Sequence, residues 1–257
     1  MEIRYRATVE YDGTGFLGFQ IQAQGRTVQG ELERAIGSIT RQQVRVLGAG
    51  RTDTGVHASG QVIAFDVAWR HTVSELQRAL NAVLPQDIAI SHLARTYPTF
   101  HPRFDAKWRR YRYTILNQPA RSPLWARVAH HIPEPLDVEA MREASRWLIG
   151  DHDFAGFGKT THGESTIRHV VQAEWFVEYR RDIAGRLLVF EITANAFLYR
   201  MVRKVVGILI KVGQGELSPG EIIALLEARD RAATGPPAPA CGLCLVNVVY
   251  DETSDKS

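Results

Sequence analysis

GAGRTDTGVHA, residues 48–58, is bounded by glycines and places Arg51, Asp53 and His57 within one short segment. On one side Gln43–Leu47 reads as a strand and on the other Gln61–Val67 does, so the segment is expected to be a loop between two strands. Working outward, Ile3, Tyr5, Ala7, Val9 and Tyr11 alternate with Arg4, Arg6, Thr8 and Glu10, the period of a half-buried strand. Val28, Leu32, Ala35, Ile36 and Ile39 mark a helix that begins near Thr27. Thr72 can cap a second helix carrying Val73, Leu76, Leu80 and Val83, which must end before Pro85. A strand at Ile88–Leu93 completes a β-α-β-β-α-β order.

The remaining sequence repeats that order with insertions. Lys107–Leu116 reads as a strand, Val138–Leu148 as a helix, Val170–Tyr179 and Leu187–Ile192 as strands, and Phe197–Val212 as a long helix. Ser218-Pro219-Gly220-Glu221 reads as a capping box with proline at the first helical position. TGPPAP, residues 234–239, is a loop and Leu245–Tyr250 a closing strand. The fold class is α/β (α+β): two ferredoxin-like halves, 1–99 and 100–250, sharing an antiparallel-rich sheet with a central cleft, followed by a frayed acidic tail, 251–257.

A chain of 257 residues with 45% hydrophobic and 23% charged residues has the composition of a folded globular protein. The longest nearly unbroken apolar run, Val205–Ile210, is far short of the roughly 20 residues that span a bilayer, and MEIRYRATVEY has no signal-peptide core, so a cytoplasmic protein is expected. The net charge of +3 is modest, yet its distribution is uneven. In HPRFDAKWRRYRY, residues 101–113, Arg103, Lys107, Arg109, Arg110 and Arg112 face one acid, Asp105, and are interleaved with Phe104, Trp108, Tyr111 and Tyr113.

Four motifs admit a structural and a chemical reading. GTGFLG, residues 13–18, matches a dinucleotide fingerprint, but that motif must open a helix and here the helix waits until Thr27, which favours a glycine-rich turn. His152 and Asp153 follow the helix ending near Gly150 and read as a capping loop. Cys241 and Cys244 form a lone CxxC without a second ligand pair and read as small core residues, so no metal site is expected. Asp53 fits an Asx turn in which Gly55 takes positive φ, and it equally fits chemistry, since a turn leaves Arg51 unexplained; His57 reads as a loop anchor. Arg203 lies in the apolar helix FLYRMVRKVVGILI: on a solvated stripe with Arg200 and Lys204 it means nothing, whereas partly buried it needs an anion.

Taken together, YDGTGFLGFQ (11–20), GRTVQGELERAI (25–36), GAGRTDTGVHA (48–58), FHPRFDAKWRRYRY (100–113), GDHDFAGF (150–157), NAFLYRMVRKVVG (195–207) and PACGL (239–243) resemble the tRNA pseudouridine synthase A family along the whole chain. The resemblance implies the pseudouridine synthase fold and isomerisation of uridine to pseudouridine at positions 38–40 of the tRNA anticodon stem-loop. It implies a homodimer without metal or cofactor. It gives Asp53 the role of nucleophile, Tyr111 contact with the target base, Arg51 a part in flipping the nucleotide, and Arg203 partnership with the catalytic carboxylate. Lys107, Arg109 and Arg110 would then contact tRNA phosphates. The cysteines are a departure from the family pattern that touches nothing catalytic. A passive RNA-binding module is the rival reading; it has no use for a carboxylate that repels its ligand. A nicotinamide-dependent oxidoreductase would require GTGFLG to open a helix.

Overall fold

A computed structural model describes residues 1–160 and 165–251, so the acidic tail from residue 252 onward lies outside the described residues. In chain order the elements are β1 (Ile3–Tyr11), α1 (Val28–Thr40), β2 (Leu47–Gly48), β3 (His57–Val67), α2 (Val73–Val83), β4 (Ile88–Arg95), β5 (Ala106–Asn117), β6 (His130–Ile132), α3 (Val138–Arg146), β7 (Gly150–Asp153), β8 (Ile167–Glu178), β9 (Arg186–Ala194), α4 (Met201–Gly213), α5 (Glu221–Ala228) and β10 (Leu243–Tyr250). The strand pairing is mostly antiparallel. The chain forms two compact units: Met1–Lys107 together with the closing residues from Cys244, and Trp108–Leu243.

In the first unit β1 lies between β3 and β4, antiparallel to both, with Tyr5 opposite Phe65 and Val9 opposite Ile90. β10 runs parallel to β3 through Cys244 opposite His57. Alternation in β1 buries Tyr5, Ala7, Val9 and Tyr11, and α1 and α2 bury Leu32, Ile36, Leu76 and Leu80. Each such leucine stabilises the fold by about 1.5–3 kcal/mol. Thr27 caps α1, and Thr72 with Glu75 forms a full capping box on α2.

In the second unit β5, β9, β8 and β7 are successive antiparallel neighbours, with β6 parallel to β5. Trp175, stacked near Phe190, donates its indole N–H to the buried hydroxyl of Ser145 on α3. This joins the helix to the sheet.

The structure departs from the sequence expectations in four places. Residues 43–46 are not a strand, because side chains of α1 take the bonds a ladder would use: Val46 N donates to Glu33, and Gln29 donates to the Val46 carbonyl. The helix expected from Phe197 starts at Met201, since Arg200 adopts a left-handed φ of 63° and Tyr199 N bonds to Lys159 O. The last expected helix begins at Glu221 instead of Pro219; the Glu221 carboxylate accepts from Ser218 N and Oγ, half of the box. GDHD is a strand, β7, paired residue for residue with β8, and α3 ends at Arg146.

Candidate active site

The loop after β2 is held from both sides. Gly50 is clasped by the buried Gln61 side chain, which accepts from Gly50 N at 3.2 Å and donates to Gly50 O at 2.7 Å. The Thr52 hydroxyl bonds the Tyr11 hydroxyl at 2.8 Å, and Thr52 O accepts from Phe19 N at 3.1 Å. The turn closes through the main chain, Val56 N to Asp53 O at 3.1 Å, with Gly55 at φ +78° as the turn reading expects. That closure does not need the carboxylate. Asp53 is half-buried, while Arg51 is exposed and has no side-chain partner among the described residues.

His57 sits beneath the loop, buried, with Nδ1 accepting from Gly13 N at 3.0 Å. Asp12 Oδ1 also lies 3.2 Å from the same nitrogen. A main-chain N–H can only donate, so in the bond to Gly13 the ring nitrogen is the acceptor. His57 therefore anchors the loop, as expected.

GTGFLG forms a single 3-10 turn at Gly13–Gly15, capped by Asp12, and opens no α-helix; the next helix is α1, from Val28. The oxidoreductase reading fails here, and the glycines find another use. A Cβ at Gly13 would stand 2.0 Å from Val56 O, so the segment is pressed against the Asp53 loop, and Phe16 O accepts from Gly55 N. Phe16 is in turn covered by the Arg26 guanidinium, 4.2 Å above its ring. Arg26 grips Asp87 with both terminal nitrogens, at 2.6 and 2.8 Å, and Glu31 through Nε. The guanidinium holds the Asp87 carboxyl below the usual range. These supports escaped the sequence reading; the buried glutamine, the buried tyrosine-threonine pair and the Arg26–Asp87 clamp leave no periodic signal.

In the second unit, alternation divides the basic strand. Arg109, Tyr111 and Tyr113 face inward; Arg110 and Arg112 face the other way. Tyr111 packs edge-on against Phe197 at 5.0 Å. Arg109 is only 8% exposed and donates to Asn195 O at 2.6 Å. Arg110 reaches Thr193 Oγ1 at 3.3 Å, and Arg112 grips Glu191 at 2.7 Å. Lys107, which belongs to the first unit, pairs with Asp251 at 2.9 Å. Arg203 is half-buried on α4: its Nε donates to Ala238 O at 2.7 Å, and its own carbonyl accepts from Ala238 N at 2.9 Å. Lys204 bonds Arg231 O and Thr234 Oγ1, and burial lowers its pKa. The α4 cations are thus no solvated stripe.

Cys241 and Cys244 are free thiols; burial pushes Cys241 up, away from thiolate chemistry. Among the described residues no group of histidines, cysteines and carboxylates could hold a metal, and no helix is long and apolar enough to cross a membrane.

Residues 7–105 and 144–251 match the profile of the family described as tRNA pseudouridine synthase. The chain is 42% identical to the tRNA pseudouridine synthase A of Brevibacillus brevis, over 96% of its length and 99% of that protein. It is 43% identical to that of a Geobacillus species, over 98% and 100%, and 43% identical to that of Methylococcus capsulatus, over 97% and 90%.

Proposed function

From the premise that the chain belongs to the tRNA pseudouridine synthase family and is an isomerase, we propose that it converts uridine to pseudouridine at positions 38–40 of the anticodon stem-loop with Asp53 as nucleophile. The reaction breaks the bond between C1′ and N1, turns the uracil, and joins C1′ to C5. N1 gains a proton and C5 loses one, so no atom enters or leaves overall. An ionised carboxylate can serve this by adding to C1′ of the ribose or to C6 of the uracil, and either adduct must later release the Asp oxygen. The observation that carries the reading is the Asp53 loop itself: bonds to the main chain of Gly50, the hydroxyl and carbonyl of Thr52 and the amide of Val56 fix the backbone on both flanks of Asp53, a placement suited to presenting an acid.

Arg51, exposed beside Asp53, has the reach and planar head to fill the space a flipped nucleotide leaves, which offsets part of an unstacking cost of a few kcal/mol. Tyr111 and Arg203 keep the roles the resemblance gives them. For the phosphates we assign Lys107 and Arg110, half-exposed at their side chains. Arg109, tied to the Asn195 carbonyl, is revised from a phosphate contact to a brace for the residues after β9. The working form is taken to be a cytoplasmic homodimer. The test is incubation of purified protein with unmodified tRNA in buffer alone: pseudouridine at positions 38–40 is expected, and none there, or conversion only elsewhere, refutes the assignment.

A further inference from the structure

We infer that Phe104 is a stacking platform for an unpaired base of the tRNA. The residue stands in the turn between β4 and β5, whose main chain is held by bonds within the turn and to the residues beneath it. His101 O accepts from Phe104 N and Asp105 N, and His101 Nδ1 accepts from Arg103 N at 3.2 Å. Asp105, the only acid of residues 101–113, receives Tyr97 Oη at 2.6 Å and His101 N at 2.9 Å. The turn is seated on Phe100, which is fully buried against Tyr97 and Tyr250, while Tyr250 Oη donates to Pro102 O at 2.8 Å and Arg4 donates to Phe100 O at 3.0 Å.

On this fastened base Phe104 leaves 73% of its surface in solvent. A lone exposed apolar residue is ordinary on a protein surface. An exposed aromatic ring on a fastened turn, with a second ring and an arginine beside it, is less so. The His101 ring lies 4.3 Å from that of Phe104, tilted by 36°, and the Arg103 guanidinium lies 5.6 Å from its centre. Lys107 follows three residues on.

The chemistry that fits is a nucleobase with its phosphate: a π-face for the ring and a negative charge for the cations. A second protein surface would bring no need for that charge, and the turn engages its one carboxylate in bonds from Tyr97 and His101. Because the main chain of the turn is already fastened, stacking has only the Phe104 side chain left to order. Stacking of this kind tolerates any base, so Phe104 would add affinity and register without reading sequence. The inference rests on tRNA as substrate and concerns a contact that the isomerisation chemistry does not use.

The experiment compares tRNA affinity and single-turnover pseudouridine formation for Phe104→Ala, Phe104→Leu and Phe104→Trp. Phe104→Ala should weaken tRNA binding about tenfold, the scale of one lost base–aromatic stack, with the rate at saturating enzyme unchanged. Phe104→Trp should restore or tighten binding, and Phe104→Leu should resemble Ala. Unchanged affinity in Phe104→Ala overturns the inference, as does rescue by Leu equal to that by Trp, which would make the contact apolar rather than stacking. So does a shift in sedimentation with RNA affinity intact, which would assign the ring to a second copy of the chain. Absence of pseudouridine with the wild-type protein strikes the reading of the reaction instead, while the affinity series still decides the platform.

Discussion

The loop around Asp53 and the strand β5 are the two charged stretches that stand out in the sequence, and the structure treats their charges in opposite ways. In the loop, neutral groups hold the backbone directly: Gln61, Tyr11 with Thr52, and the Phe16 carbonyl, with the Arg26–Asp87 pair backing them from behind Phe16. In β5 the charged groups do it themselves. Arg109 braces Asn195 and Arg112 locks onto Glu191. A carboxylate carried on a loop whose backbone is fastened on both flanks is placed for chemistry, whereas a run of charge on a strand is first divided by the pleat, and only what remains outward is available to a ligand.

The sharpest test of that contrast is Asp53→Asn. Asn keeps the shape and preserves the main-chain bond from Val56 N, so the variant should melt near the native temperature. It should bind tRNA as tightly or more tightly, for want of one repulsive charge, and form no detectable pseudouridine. Single-turnover conversion at even a tenth of the wild-type rate would place Asp53 among the turn residues and dissolve the comparison.

Next in size is Gly13→Ala. The added methyl would meet the backbone oxygen of Val56 at 2.0 Å, and the amide that holds His57 would have to move. Such overpacking costs about 1–3 kcal/mol, and turnover should fall more steeply than tRNA affinity because the displaced element is the Asp53 loop. Native melting with native turnover would show that the glycines of GTGFLG are not the cradle described above.

A paired substitution tests the division of β5. Arg110→Ala should flatten the slope of log K for tRNA against log salt by roughly 0.7–0.9, one phosphate contact. Arg109→Ala should leave the slope alone and lower the melting temperature, since it removes the buried bond to Asn195 O. Equal slope changes would mean that the pleat does not sort these arginines.

Sequence periodicity captured what is periodic. The alternation of β1, the stripes of α1 and α2 with the Thr72 cap, and the strands β5, β8 and β9 were all legible, because burial on one face leaves its mark at every second or every third to fourth residue. The Asp53 loop stood out for the converse reason: its residue types exceed what a turn requires. Three kinds of information were not there to read. Residues 43–46 have strand-like composition, but their amide and carbonyl go to Glu33 and Gln29, and such a competition depends on a helix packed beside them. The parallel pairing of β10 with β3 joins Cys244 to His57, far apart in the chain, with no local signal. The inward turn of Arg109 follows from the phase of the strand, which a mixed run of arginines and aromatics does not fix.

Lys107 offers the finest probe, because its competitor lies within the same unit. Its ammonium pairs with Asp251 at 2.9 Å, both side chains more than half exposed, so the acid and a tRNA phosphate would contend for one cation. An exposed pair of this kind is weak and screened by salt. Asp251→Asn should therefore tighten tRNA binding only slightly, about two- to fivefold at low salt, and the gain should vanish as ionic strength rises. The melting temperature should not move. The control is Lys107→Met, which should weaken binding and make Asp251→Asn silent when the two are combined; a gain that survives in the double variant would mean that Asp251 acts on the RNA directly by repulsion, and Lys107 would leave the list of phosphate contacts.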